Sequence, residues 1–353
     1  MTQRGFAVHL PVDPVERSIA GAILLLILII PFDEGGNGYI LQGITQVVLL
    51  VVATLWAVRM LRRGTWLVTF DWIDVWVAGF FLWGLLSVLW SAYTYATLLE
   101  LIKIFSYVAL FSLCRVLFPL KQWQQVVLLT IFGSSVVQML AAWIFLLTGR
   151  TATLRAGFIN PNILACFLVI GINIGLSVLL FSRRDSATSS RTRIRLHTLL
   201  VAGLTAGMIV TVFAIRSRGA VVSFVGSGLV LTMLKHKKLG LIFLLGCCLA
   251  FFLPLPGGSV FQRLQKRDDP FAYERMGIWR SSLQIAVDHP FFGVGLGMFE
   301  YYGDAYNFPV EHRIARYEKR VNVAHSDFFQ IAAELGFVGL AIWIGGLGLL
   351  GSY

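Results

Sequence analysis

The stretch Thr198–Lys235, TLLVAGLTAGMIVTVFAIRSRGAVVSFVGSGLVLTMLK, decides the fold. Two apolar runs flank a short polar knot, Arg216-Ser217-Arg218. Each run approaches the ~20 residues that an α-helix needs to cross a hydrocarbon layer. In that layer backbone polar groups must be satisfied within the segment, so a run of this kind is a helix. Similar runs recur at about 18–32, 40–58, 73–91, 98–114, 124–147, 160–181, 239–254 and 326–351. With 198–215 and 219–234 they make about ten candidate spans. The expectation is an all-α, polytopic transmembrane helix bundle, one membrane domain over 1–353, with a long, partly helical loop at 255–325.

Composition agrees. The chain is 57% hydrophobic and 13% charged, with a mean hydropathy of +0.78. A soluble domain carries about 25% charged residues, so this chain has too little polar surface to cover a globule. The net charge of +11 would suggest nucleic acid in a soluble protein. Here most positive residues fall in short connections between apolar runs, where they set topology, and no nucleic-acid partner is expected. Cys114, Cys166, Cys247 and Cys248 all lie inside apolar runs without metal-type spacing, so neither a disulfide framework nor a zinc site is indicated. The run 18–32 leads into Pro31-Phe32-Asp33-Glu34 with no small-residue cleavage site and reads as an uncleaved first span.

With a cytoplasmic N-terminus, the inner segments hold Arg4 and Arg17, Arg59 with Arg62 and Arg63, Arg115 with Lys121, the five arginines of 182–197, and Lys235 with Lys237 and Lys238. The short outer loops hold Arg150, Arg155, Arg216 and Arg218. That asymmetry orients the chain. Residues 255–325 break it, with Arg263, Lys266, Arg267, Arg275, Arg280, Arg313, Arg316, Lys319 and Arg320. Long loops are exempt from the charge rule, and a cationic outward surface suits an anionic substrate.

Four places could carry chemistry. Arg216 and Arg218 lie at the outer membrane edge, where ionisable groups are costly and default to function. If helical, the two point to nearly opposite sides; the alternative is a tight hairpin with arginines reaching the headgroups. Tyr273–Arg280, continuing to Asp288-His289-Pro290, reads as a helix ending in a turn. Arg275, Trp279 and Leu283 share one of its faces and Arg280 points elsewhere. Gly293-Val294-Gly295-Leu296-Gly297 resembles a phosphate loop, but lacks the G-x-G-x-x-G spacing and a preceding strand; it reads as a flexible loop brought close to membrane or substrate. His325, where the loop re-enters the membrane, can serve as a general base or simply hydrogen-bond at a helix start. Glu334 lies roughly on the opposite helix face from His325, with packing through Gly336 and Gly339 as its plainer role. Glu100 and Lys103 are placed to form an ion pair, and Asn160-Pro161 to cap a helix.

Together, R-S-R-G at Arg216, E-R-x-x-x-W-R at Glu274, D-H-P-x-x-G-V-G-x-G-x-F at Asp288, A-H-S-D-x-x-Q-x-x-x-E-x-G-x-x-G at Ala324, and Asn160-Pro161-Asn162 resemble the O-antigen ligase and O-antigen polymerase superfamily over residues 155–345. The resemblance implies a lipid-carrier-dependent glycosyltransferase of the bacterial inner membrane. Its donor would be an undecaprenyl-diphosphate-linked glycan, used at the periplasmic face. The acceptor would be lipid A–core in a ligase, making lipopolysaccharide, or a growing chain in a polymerase. It also implies metal-independent chemistry with no cofactor. His325 would activate the acceptor hydroxyl. Arg216 or Arg218, and Arg275 in the loop helix, would hold the donor diphosphate, with Arg280 a further candidate. Ligation to lipid A–core is the first expectation, polymerisation the alternative, and a small-anion transporter or non-catalytic membrane protein the reading from a different class. A transporter should show internal repeats or broken midplane helices bearing ionisable residues, and the sequence displays neither. The family usually continues with further spans beyond this motif. With Tyr353 closing the first of them, the chain reads as a piece or truncated form of a longer protein.

Overall fold

The computed structural model describes residues 14–33, 38–63, 71–117, 121–181, 191–252, 274–303, 305–306 and 321–352. Among these, regular structure is helical and no strand occurs. Eight helices are long and apolar enough to cross a bilayer, and the fold is a polytopic helical bundle. Two of the ten expected spans are shorter. Arg17–Phe32 belongs to the shorter apolar helices. Lys237–Phe252 has 16 residues, about 24 Å of helix against a layer of about 30 Å.

The chain divides into two compact units. Unit 1 comprises Met1–Thr45 and Leu117–Lys266. It contains α1 (Pro14–Ile29), α5 (Lys121–Leu147), α6 (Pro161–Phe181), α7 (Arg191–Ile215), α8 (Arg218–Lys235) and α9 (Lys237–Phe252). Helix α6 is its hub, packing on α5, α7 and α8. Leu164, Leu168 and Ile172 of α6 meet Met208 and Val212 of α7 and Ala220 and Phe224 of α8 in one buried cluster. Small residues let the backbones approach: a Cβ on Gly171 would lie 2.7 Å from Ser135 Oγ, the close packing that holds helices together in lipid. Hydroxyls in this apolar interior turn back on their own helices, Thr205 Oγ1 donating to Val201 O at 2.7 Å and Thr211 Oγ1 to Gly207 O at 2.8 Å. That satisfies them where water is absent. Outward faces remain apolar. Val222 and Leu234 are each 71% exposed, a pattern suited to lipid rather than water.

Unit 2 comprises Gln46–Val116 and Arg267–Tyr353. Most of α2 (Tyr39–Arg63) belongs to it, with α3 (Trp72–Leu86), α4 (Thr94–Leu117), α10 (Glu274–Asp288), α11 (Phe299–Gly303) and α12 (Asp327–Ser352). Asp71 and Asp74 form a reciprocal capping box at the start of α3, worth about 1 kcal/mol. Arg115 near the end of α4 pairs with both carboxylates. Helices α3 and α10 both pack on α12.

Helix α12 is broken. Gly336 has φ 68° and ψ −176°, outside the helical region. A Cβ there would collide with the backbone of Phe291 and Phe292, so glycine is required both by conformation and by space. The break frees backbone groups that lipid cannot satisfy. The 290–295 segment takes them: Val294 N donates to Ala333 O at 3.0 Å, Gly295 N to Glu334 O at 2.8 Å, and Phe337 N to Pro290 O at 2.8 Å. Trp83 Nε1 donates to Leu335 O at 3.0 Å. A broken helix next to an ionisable residue, absent from the sequence expectation, is thus present, and its loosened backbone is consumed by neighbouring chain.

Candidate functional site

Unit 2 holds both His325 and Arg275, close enough for the arginine's charge to act on the imidazole. Helix α10 buries Ile278, Ser281, Ser282, Ile285 and Ala286. Ile278 and Ile285 form a core with Val294, Met298, Phe299, Ala324 and Ala333. Trp279 lies at the edge of that face. Its ring stacks on Phe329 at 5.4 Å and its Nε1 donates to Ala324 O at 3.0 Å. Arg275 stands one turn earlier, exposed. Leu283, expected beside them, is 45% exposed. The inward stripe runs instead through Ile278 and Ser282, because i, i+3 and i, i+4 steps together define the packed face. Arg280 is exposed and, five positions from Arg275, sits about 140° around the helix. Asp288 ends α10 as expected and accepts a 2.7 Å hydrogen bond from Tyr306 Oη, which raises the phenol pKa.

His325 has an exposed side chain on a left-handed backbone, φ 53°. That conformation costs a non-glycine residue on the order of 1–3 kcal/mol and persists only where its surroundings enforce it. The enforcement is visible on both sides. Ala324 before it is held through both backbone groups, its O by Trp279 and its N by Gln330 Oε1 at 3.3 Å. Ser326 after it accepts Gln330 N at 3.0 Å as α12 begins. Partial burial, and then the positive charge of Arg275, lower the imidazole pKa from its ordinary 6.5. Both effects disfavour the imidazolium and favour the neutral ring.

The glycine loop is not what its sequence suggests. Val294, Leu296, Met298 and Phe299 are buried, so 293–299 is packed rather than free. Its N–H groups are engaged within unit 2: Val294 and Gly295 as above, Leu296 N on Ser87 Oγ at 3.2 Å, Gly297 N on Glu334 Oε2 at 2.9 Å, and Phe299 N on Glu334 Oε1 at 3.3 Å. Leu296 O accepts Thr97 Oγ1 at 2.8 Å. A phosphate cradle needs those N–H groups pointing at ligand; here they point at protein. Gly293, Gly295 and Gly297 all have positive φ, and a Cβ at Gly297 would press on Glu100 Cγ at 2.7 Å. The glycines serve tight packing.

Glu334 has a larger role than the packing first assigned to it. It is 5% exposed, and its carboxylate collects Gly297 N, Phe299 N and Gln330 Nε2, the last at 3.2 Å. The expected packing is present as well: Gly336, where the helix breaks, lies against the Phe291–Phe292 backbone, and Gly339 faces Trp83 of α3. Glu100 and Lys103 form the expected pair at 2.6 Å, half-exposed, a geometry worth at most about 1 kcal/mol.

In unit 1 Arg216 and Ser217 form a hairpin tip, and Arg218 opens the helix that follows. Helix α7 ends at Ile215 and α8 begins at Arg218. Arg216 lies between them at φ 61°, and both arginines are exposed. Buried Ser217 caps α8, its Oγ accepting Ala220 N at 3.5 Å. The 154–158 loop packs into the cluster that holds α7 and α8, through Leu154, Ala156 and Phe158. Arg155 is exposed between two of these anchors and was passed over in the sequence because no motif marks it. Asn160 does cap α6, its Oδ1 accepting Asn162 N at 2.8 Å, with Pro161 first in the helix. Among the described residues, the non-glycine positions with positive φ are Ala156, Arg216 and His325. Arg263, Lys266, Arg267, Arg313, Arg316, Lys319 and Arg320 lie outside the described residues.

Residues 203–344, which take in Arg216, α10, the glycine loop, His325 and the broken helix, match the O-antigen ligase family. The chain carries an O-antigen ligase domain over that region. No curated protein matches it. The apolar helices are those of a multi-pass membrane protein, and the domain supports a general function of the O-antigen ligase or polymerase type, with glycan and lipid-linked substrates.

Proposed function

We propose that the protein transfers a glycan from undecaprenyl diphosphate to an acceptor hydroxyl at the periplasmic face of the inner membrane, with lipid A–core as the acceptor. His325 takes the proton from the acceptor hydroxyl as that oxygen attacks the anomeric carbon. The glycosyl–oxygen bond to the carrier breaks, and the diphosphate leaves with the bonding pair. Arg275 faces that developing charge. Fixed cations stabilise a departing diphosphate more than the ground state, and a planar, permanently charged guanidinium suits it. The resemblance gives the same role to Arg216 or Arg218 at their hairpin tip, with Arg280 a weaker candidate on the other side of α10. Positioned arginines can take the place of a divalent cation in this role, which supports the metal-independent step that the resemblance implies.

The observation that carries the reading is the pairing of an exposed, strained His325 with Arg275, whose charge helps keep the imidazole neutral. A general base must be unprotonated and aimed at solvent or substrate. The broken helix is a feature shared with transporters, but its freed carbonyls and the Glu334 carboxylate are occupied by protein donors, which favours the enzyme. Polymerisation uses the same donor chemistry and is separated by product. In the native host, His325→Ala leaves long carrier-linked chains unattached if the protein is a ligase, and single repeat units on the lipid core if it is a polymerase. Normal surface glycans in a strain without paralogues overturn both.

A further inference from the structure

We infer that Glu334 and Gln330 are positioning residues that set the conformation in which His325 is presented. The inference rests on the reading of His325 as the base. Three donors converge on the Glu334 carboxylate: Gly297 N on one oxygen, and Phe299 N with Gln330 Nε2 on the other. A carboxylate, which only accepts, satisfies all three; a glutamine there would turn an NH2 against one of them. Since Glu334 takes the Gln330 NH2, the Gln330 oxygen is left to accept Ala324 N. The Gln330 amide has one orientation that serves both contacts, which fixes its flip by chemistry. Ala324 is the residue before His325, and its carbonyl receives the Trp279 indole. The connected set therefore runs from the glycine turn through Glu334 and Gln330 to the backbone beside His325, and on through Trp279 to the helix that carries Arg275. It accounts for two facts otherwise unrelated: a buried acid in an apolar helix, which is costly unless hydrogen-bonded, and a histidine held at positive φ. Among the described residues, Arg275 of α10 acts on the titration of His325, and Asp327 lies two positions on at the start of α12.

The test is the reactivity of His325 itself. The purified protein is labelled with diethyl pyrocarbonate across pH 5–8, and modification of the His325 peptide is read by mass spectrometry, alongside turnover and thermal unfolding. Glu334→Gln and Gln330→Met are compared with the parent. A positioning role predicts that the His325 labelling midpoint moves in both variants. It also predicts that kcat falls about 10–100-fold, the scale of an ångström-sized misplacement, while donor KM changes little. If Glu334→Gln does not fold, Gln330→Met decides alone. Folded variants whose labelling midpoint and kcat match the parent overturn the inference, while His325→Ala with full activity overturns the base assignment and leaves the labelling result readable.

Discussion

The Glu334 carboxylate accepts the Gly297 backbone N–H at 2.9 Å across 37 positions of chain. This bond joins a membrane-length helix at its break to a turn made of glycines. Either element alone would be a liability: a broken helix exposes backbone to lipid, and a glycine loop loses much entropy on ordering. Packed together they satisfy each other, and His325 is held at the edge of the assembly.

The break itself is testable. Gly336→Ala places a Cβ against the Phe291–Phe292 backbone at positive φ. Overpacking of this kind costs about 1–3 kcal/mol before the backbone strain is added, so thermal unfolding in detergent should show a large loss or no folded protein. Gly348→Ala, in the same helix with open space around it, should be neutral or gain up to about 1 kcal/mol.

The strained residues give a prediction of opposite sign. Glycine at Arg216 or His325 relieves a left-handed backbone, worth roughly 1–2 kcal/mol. Arg216→Gly and His325→Gly should therefore unfold at the same or higher temperature than the parent while losing glycan transfer. Destabilisation by either change would show that the side chain serves the fold.

The helical framework was legible because its cause is local: an apolar run long enough to span becomes a helix wherever it occurs. The Asn160–Pro161 start of α6 and the Glu100–Lys103 pair were legible for the same reason, each depending on neighbours within one turn. What failed to show depends on distant chain. Gly336 resembles other glycines of α12, and only the backbone of Phe291 and Phe292 makes it a break. Glu334 looked idle because its partners Gly297 and Phe299 are 37 and 35 positions away. The 293–297 loop looked mobile because glycine signals freedom, whereas close packing also demands it. The Arg216–Arg218 knot shows in the sequence as a break between two apolar runs, but hydropathy carries no sign of a two-residue turn.

Titration of His325 fixes the direction of the pH response. Its pKa is lowered from 6.5, first by burial and then by Arg275. The folded protein therefore binds fewer protons than the unfolded chain between the folded value and 6.5, and in that window stability rises with pH. With His325 as the proposed base, active unprotonated, the acid limb of the kcat/KM profile is expected below 6.5. Arg275→Gln removes the lesser of the two causes. The limb should move upward without passing 6.5, and an unmoved limb would show that Arg275 does not act on His325.

Trp279 separates hydrogen bonding from stacking. Trp279→Phe keeps a ring against Phe329 but removes the donor to Ala324 O. The expected loss is about 1 kcal/mol in stability, with a larger proportional fall in kcat than in donor affinity. Trp279→Ala should lose both contacts and unfold at a clearly lower temperature.

The most direct test of the central claim follows the carrier-linked glycan in the native host after His325→Ala, with protein amount in the membrane checked. The account predicts normal membrane levels of the variant, loss of the surface polysaccharide and accumulation of the glycan on its undecaprenyl-diphosphate carrier. Wild-type surface polysaccharide with no accumulated precursor, in a strain lacking paralogues, would contradict it.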